Sequence, residues 1–138
     1  SGKTNVIANL IKFNHKIIKP KFIFVFCKSP SSTLQSIKGI RVYTDLYCDG
    51  INRVEMIMDI QKQAKLAGEK PQQMLMIFDD FITDAELNKR RSVFAQLWSM
   101  ARHFNISVII TSQTYTLFFS RYLIHPRGNL HQLKTNGV

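Results

Sequence analysis

Met74-Leu75-Met76-Ile77-Phe78-Asp79-Asp80-Phe81 sets five apolar residues directly before two adjacent carboxylates. An unbroken apolar run of this length, as opposed to an alternating one, suits a strand buried on both faces of a parallel sheet. Charge that appears only where such a strand ends lies at its carboxyl edge, where open α/β sheets bind ligands. An apolar strand closed by Asp-Asp has the pattern of a Walker B strand, in which the first Asp holds Mg²⁺ through water and the second acts on the attacking water. A core strand followed by an Asp-rich turn has the same composition, so the run alone leaves both readings open.

The start of the chain bears on that choice. Ser1-Gly2-Lys3-Thr4 matches the last residues of the P-loop pattern G-x-x-x-x-G-K-[ST]. In that pattern backbone N–H groups cradle phosphate oxygens, Lys reaches the β- and γ-phosphates, and the Ser or Thr hydroxyl binds Mg²⁺. Val6, Ile7, Leu10 and Ile11 recur at helical spacing just after it. Gly-Lys-Thr then stands at a helix N-terminus, where the dipole and free amides favour an anion. The first Gly of the motif and the strand before it are not in the chain, and there is no initiator Met. The expected unit is therefore one domain over residues 1–138, truncated at both ends.

Between these landmarks strand and helix signals alternate. Phe22-Ile23-Phe24-Val25-Phe26 reads as a second buried strand, and Cys27 to Ser32 as a loop rich in Ser and Pro. Lys28 or Ser29 in that loop fits either a ligand edge or a solvated turn. Ile40 to Tyr43 predicts a short strand, closed by Asp45 and Asp49-Gly50. Ile51 to Leu66 predicts a helix stopped by Ala67-Gly68-Glu69-Lys70-Pro71, with Met56 and Met58 in core packing. Asp84 to Asn105 predicts one long helix with Leu87, Phe94, Leu97, Trp98 and Ala101 on its apolar face. Lys89-Arg90-Arg91 on that helix reads most simply as a solvated charge run. Ser107 to Ile110 predicts a fourth strand, ending in Thr111-Ser112-Gln113, where an amide fits a γ-phosphate sensor. Tyr115 to Ile124 is mixed and suits a short helix. The fold class expected is α/β, a three-layer P-loop NTPase sandwich with a mostly parallel central sheet.

Composition narrows the partners. The net charge is +10, and no acid occurs before Asp45 or after Glu86. Both flanks are thus purely basic, which points to a polyanion, most simply nucleic acid bound through its phosphates; a Lys-rich surface with no such partner has the same composition. Cys27 and Cys48 fit neither a zinc spacing nor a disulfide framework, and the four histidines lack ligand spacing. A metal held by protein ligands alone is not expected. No apolar stretch approaches transmembrane length.

Gly2-Lys3-Thr4, Ile77-Phe78-Asp79-Asp80 and Arg102-His103 with Ser107-Val108-Ile109-Ile110-Thr111-Ser112-Gln113 together resemble the FtsK–HerA superfamily of DNA-pumping ATPases. Within it they look most like the poxvirus-type genome-packaging ATPases of large nucleocytoplasmic DNA viruses and virophages. The resemblance implies ATP and Mg²⁺ as cofactors, with Ser1, Gly2, Lys3 and Thr4 binding the nucleotide and Thr4 and Asp79 holding the metal. It implies that Asp80 orients or deprotonates the water, that Gln113 senses the γ-phosphate and that Arg102 is a trans-acting arginine finger. Arg127 matches a second basic position. Asp80 stands where many members of the superfamily have Glu, one methylene longer. The implied activity is ATP hydrolysis driving double-stranded DNA into capsids, by a homo-oligomeric ring working with capsid proteins, in host cytoplasm at viral assembly sites or in the virion. Two other functions fit parts of the sequence: a non-catalytic basic DNA-binding module with a decayed P-loop, and a P-loop kinase acting on a small molecule.

Overall fold

Apolar runs in register build the centre of the molecule. The structure, a computed structural model, describes residues 7–12, 16, 20–83, 92–111 and 116–119. Strands β1 (Phe22–Cys27), β2 (Ile40–Tyr43), β5 (Met74–Asp79), β6 (Ile106–Thr111) and β7 (Thr116–Phe119) form one sheet in the order β2-β1-β5-β6-β7. The first four are parallel and β7 is antiparallel to β6. Helices are α1 (7–12), α2 (Ser32–Gln35), α3 (Arg53–Leu66) and α4 (Val93–Met100), the last running into a 3-10 turn at Ala101–Phe104.

Period-two alternation sends neighbouring side chains of each strand to opposite faces. Phe24, Phe26, Met74, Met76, Phe78, Ile106, Val108 and Ile110 pack with Val54, Ile57 and Met58 of α3 and with Phe94 and Leu97 of α4. Ile23, Val25, Leu75, Ile77 and Ile109 pack on the other face with Ile7, Leu10 and Ile11 of α1 and with Leu34 of α2. Helices therefore cover both faces, and the expected three-layer α/β arrangement with a mostly parallel sheet is what the chain adopts. Phe26 and Phe78 stack at 4.9 Å between ring centroids, and Phe94 meets Phe78 edge-on at 5.5 Å. Such pairs add about 0.5–1.5 kcal/mol beyond their area burial.

Local chemistry explains where the elements depart from expectation. Asp49 and Gly50 both take positive φ (51° and 79°), as a two-residue type I′ turn requires. They close a hairpin of β3 (Tyr47–Cys48) and β4 (Ile51–Asn52) where the sequence suggested only the end of a strand. Asn52 then caps α3, its side chain accepting from the N–H groups of Val54 and Glu55, so the helix starts at Arg53 and not at Ile51. Met58 is core as expected, whereas Met56 is 43% exposed. The long helix expected over 84–105 is not continuous. Ser92 is extended and its hydroxyl accepts from Ala95 N–H as an N-cap, while 84–91 lie outside the described residues. Thr116–Phe119 pairs as a strand where a short helix was expected, and Thr and Phe are residue types enriched in strands.

The amino edge of the sheet is stitched by amides. Gln61, 2% exposed, donates from one side-chain nitrogen to the carbonyls of Gln72 and Phe104, tying α3 to the segments that enter β5 and β6. Asn105, in the left-handed region at φ 58°, donates to the Pro71 carbonyl at 2.7 Å. Replacing Gln61 by Met keeps the volume and removes the donor from the buried bond to Phe104 and the part-buried bond to Gln72. Gln61→Met is expected to lower stability by about 1–3 kcal/mol in a denaturant titration with an unchanged m-value.

Candidate functional site

The direction of the chain changes between β1 and β5. From β1 it moves outward to β2, and from β5 it moves the opposite way to β6 and β7. The carboxyl ends of β1 and β5 thus form a topological switch point, the usual ligand crevice of an open α/β sheet. The residues that end these strands and β6 are in register: Cys27 pairs with Asp79, and Asp79 with Thr111.

Asp79 is half-buried in the middle of this row and is held from both sides. The Thr111 hydroxyl donates to its Oδ1 at 2.8 Å, and the Cys27 thiol approaches Oδ2 at 3.7 Å. Thr111 is buried, so its hydroxyl reaches Asp79 through protein and not through bulk water. By strand alternation Cys27, Asp79 and Thr111 fall on the face covered by α1, and Cys27 belongs to the same apolar cluster as Ile7, Leu10 and Ile11. The helix that follows Gly2-Lys3-Thr4 in sequence therefore packs on the face that carries Asp79.

Asp80 is exposed and left-handed, with φ 52°. Its N–H donates to the Thr111 carbonyl at 2.8 Å, extending the β5–β6 ladder by one bond. The bend then returns Phe81 to the opposite face, where it is buried against Phe26 at 5.7 Å. A left-handed L-residue costs roughly 1–2 kcal/mol, which burial of Phe81, about 1.5–3 kcal/mol, offsets. Lys28, exposed just past β1, has its ammonium 5.9 Å from the Phe81 ring, so a cation stands at the same sheet edge.

Arg102 lies elsewhere. It is exposed in the 3-10 turn that precedes β6, at the amino edge, and the six residues of β6 separate it from Asp79 by about 17 Å of strand. One chain does not bring Arg102 to its own carboxylate pair. Ser1, Gly2, Lys3, Thr4, Gln113, Arg127 and Lys89-Arg90-Arg91 lie outside the described residues.

An oxygen donor of this kind suits Mg²⁺, a hard cation that keeps several waters and takes one or two carboxylates besides phosphate oxygens. Among the described residues no three His, Cys, Asp or Glu side chains gather as a metal cage, and no helix is long and apolar enough to cross a membrane. Sequence reasoning reached Asp79, Asp80 and the polar ending of β6. It missed that Thr111 and Cys27 flank Asp79: three strand-like runs each end in a polar side chain or thiol, but the register that brings these ends together is not written along the chain.

The sheet order, the helices on both faces and the carboxylates at the switch point define the class, a P-loop NTPase core of α/β type. A family model described as Poxvirus A32 protein matches residues 1–120. The chain belongs to the Poxvirus A32 protein family, a viral family with an FtsK–HerA-like P-loop. No curated protein and no solved structure gave a match.

Strain at Asp80 separates fold from chemistry. Asp80→Gly is expected to melt at or above the parent temperature, since Gly takes φ 52° freely. Asp80→Val is expected to lose about 1–2 kcal/mol, both read by thermal unfolding of the full-length protein.

Proposed function

We propose that this chain is the ATPase core of a homo-oligomeric ring motor that hydrolyses ATP with Mg²⁺ and drives viral double-stranded DNA into capsids. The observation that carries the proposal is the placement of Asp79. It closes the central strand at the switch point, on the face packed by the helix that follows Gly2-Lys3-Thr4. Family membership over residues 1–120 supports the nucleotide, and the purely basic flanks support a polyanionic partner.

On this reading Lys3 neutralises the β- and γ-phosphates, the backbone of Ser1 and Gly2 binds phosphate oxygens, and Thr4 and Asp79 hold Mg²⁺. When bound, Mg²⁺ supplies charge neutralisation at the β- and γ-phosphate oxygens. Asp80 accepts a hydrogen bond from the attacking water and orients it, or takes its proton. Gln113, two residues beyond Thr111, senses the γ-phosphate. Arg102 serves the site of the next subunit, in accord with its distance from the Asp79–Asp80 pair of its own chain. Positioning and electrostatic stabilisation then account for most of the acceleration. The work takes place in host cytoplasm at assembly sites or in the virion, with capsid proteins as further partners.

The deciding experiment is ATP hydrolysis by the full-length protein with and without long duplex DNA. Turnover stimulated by DNA and abolished in Asp80→Asn is expected. Folded, oligomeric protein that binds DNA in a salt-sensitive way without turnover would instead make it a non-catalytic DNA-binding module. Turnover that ignores DNA but responds to a small phosphate acceptor would make it a kinase.

Lys3→Ala and Asp79→Ala are expected to remove turnover and leave the fold intact. Arg102→Ala is expected to lower kcat by about 10³-fold or more while sparing ATP binding. Rings mixed from Arg102→Ala and Asp80→Asn subunits are expected to recover part of the activity, because some interfaces then join an intact finger to an intact carboxylate. Mixed rings that assemble and stay inactive would refute the assignment of Arg102.

A further inference from the structure

Thr111 touches both carboxylate residues, by two different groups. Its hydroxyl donates to Asp79 Oδ1 at 2.8 Å, and its carbonyl accepts the Asp80 N–H at 2.8 Å. The backbone bond continues the parallel ladder and is open to any residue at this position. The hydroxyl bond depends on the side chain, and neighbouring apolar residues of β6 cannot supply it. Position 111 is also the point at which a strand buried throughout its length meets the site. A hydroxyl buried there without a partner would carry a desolvation cost, and Asp79 is the partner it has.

The contacts that Thr111 and Cys27 make with Asp79 are unequal. Thr111 offers a short O–H···O⁻ contact, a strong class of hydrogen bond, while the Cys27 thiol at 3.7 Å is a weak donor. Of these two contacts, the Thr111 hydroxyl is therefore the one that holds the carboxylate firmly. Fixing one oxygen fixes the plane of the carboxylate and the direction in which the other is presented.

We infer that Thr111 is a positioning residue for the metal site: its hydroxyl orients the Asp79 carboxylate for Mg²⁺ bound with the nucleotide. The inference rests on the ATPase reading and adds a residue to it. Groups that hold a metal-ligating side chain from behind typically contribute 10- to 100-fold in metal affinity, and Thr111 belongs to that range. The effect falls on Mg²⁺ and not on the nucleotide alone, because among the described residues Thr111 meets the site through Asp79 and Asp80.

The test uses the full-length protein and a fluorescent, non-hydrolysable ATP analogue, titrated with Mg²⁺ and, separately, in EDTA. Thr111→Val, close to isosteric, is expected to raise the Mg²⁺ concentration at half-saturation by about 10- to 100-fold. Analogue affinity in EDTA is expected to stay at the parent value, and Thr111→Ser to restore the Mg²⁺ response to within about threefold. Thr111→Ala serves in the same titration if the valine variant does not fold. A parent-like Mg²⁺ response in the variant lacking the hydroxyl overturns the inference, as does an equal loss in EDTA, which would make Thr111 merely structural. Failure of the parent itself to bind the analogue in a Mg²⁺-dependent way overturns the ATPase reading and this inference together, so the two failures are told apart by the parent protein.

Discussion

Burial of β5 on both faces is the constraint from which the rest of the structure follows. Met74 through Phe78 are all buried, alternating between the α3–α4 layer and the α1 layer. A strand enclosed in this way tolerates a charge only where it leaves the core, because an unpaired buried carboxylate is costly. Asp79 and Asp80 sit at that exit, with β1 and β6 in register on either side. The same enclosure that forbids charge along the strand supplies the neighbours that hold Asp79 at its end. The sheet and the site are one solution to one problem.

What the sequence disclosed follows from the range of the interactions involved. Continuous apolar runs gave Phe22–Phe26, Met74–Phe78 and the strand before Thr111, because double burial acts on every residue of a strand. Asp49-Gly50 carried a hairpin signal whose flanking strands, two residues each, are too short for alternation to reveal. The break at Ser92 was hidden by an apolar spacing that fits a helix on either side of it, while the cap depends on a single hydroxyl bonded to Ala95. The Thr111–Asp79 bond joins residues 32 positions apart, and no pattern along the chain encodes a pairing register. The sequence located the carboxylates, and only the fold located their partners.

The bend at Asp80 shows how the two faces of the sheet are coupled at the site. Asp79 lies on the α1 face, whereas Phe81 is buried on the α3–α4 face against Phe26 and Phe78. Asp80 absorbs the change of direction in a left-handed conformation that Asp tolerates better than most residues. Packing of Phe81 therefore helps determine where the Asp80 carboxylate is carried. Backbone strain of this type persists when surrounding contacts over-determine it, and here those contacts are an aromatic cluster on one side and the Thr111 carbonyl on the other. An Asp serves this geometry at a smaller conformational cost than a residue with a bulkier Cβ environment would.

Arg102 completes the argument about assembly. The 3-10 turn that carries it precedes β6, and the sheet is parallel there, so the turn and the carboxylates occupy opposite edges of the same layer. A side chain reaching about 7 Å does not span the roughly 17 Å length of that strand, whatever rotamer it adopts. If Arg102 acts on a phosphate, the phosphate belongs to another subunit. Packing subunits head to tail, amino edge of one toward carboxyl edge of the next, is a heterologous contact that closes into a ring when the rotation allows. If Arg102 is the finger proposed above, a chain with it on one edge and the carboxylates on the other has no complete site by itself, and hydrolysis is a property of neighbouring pairs.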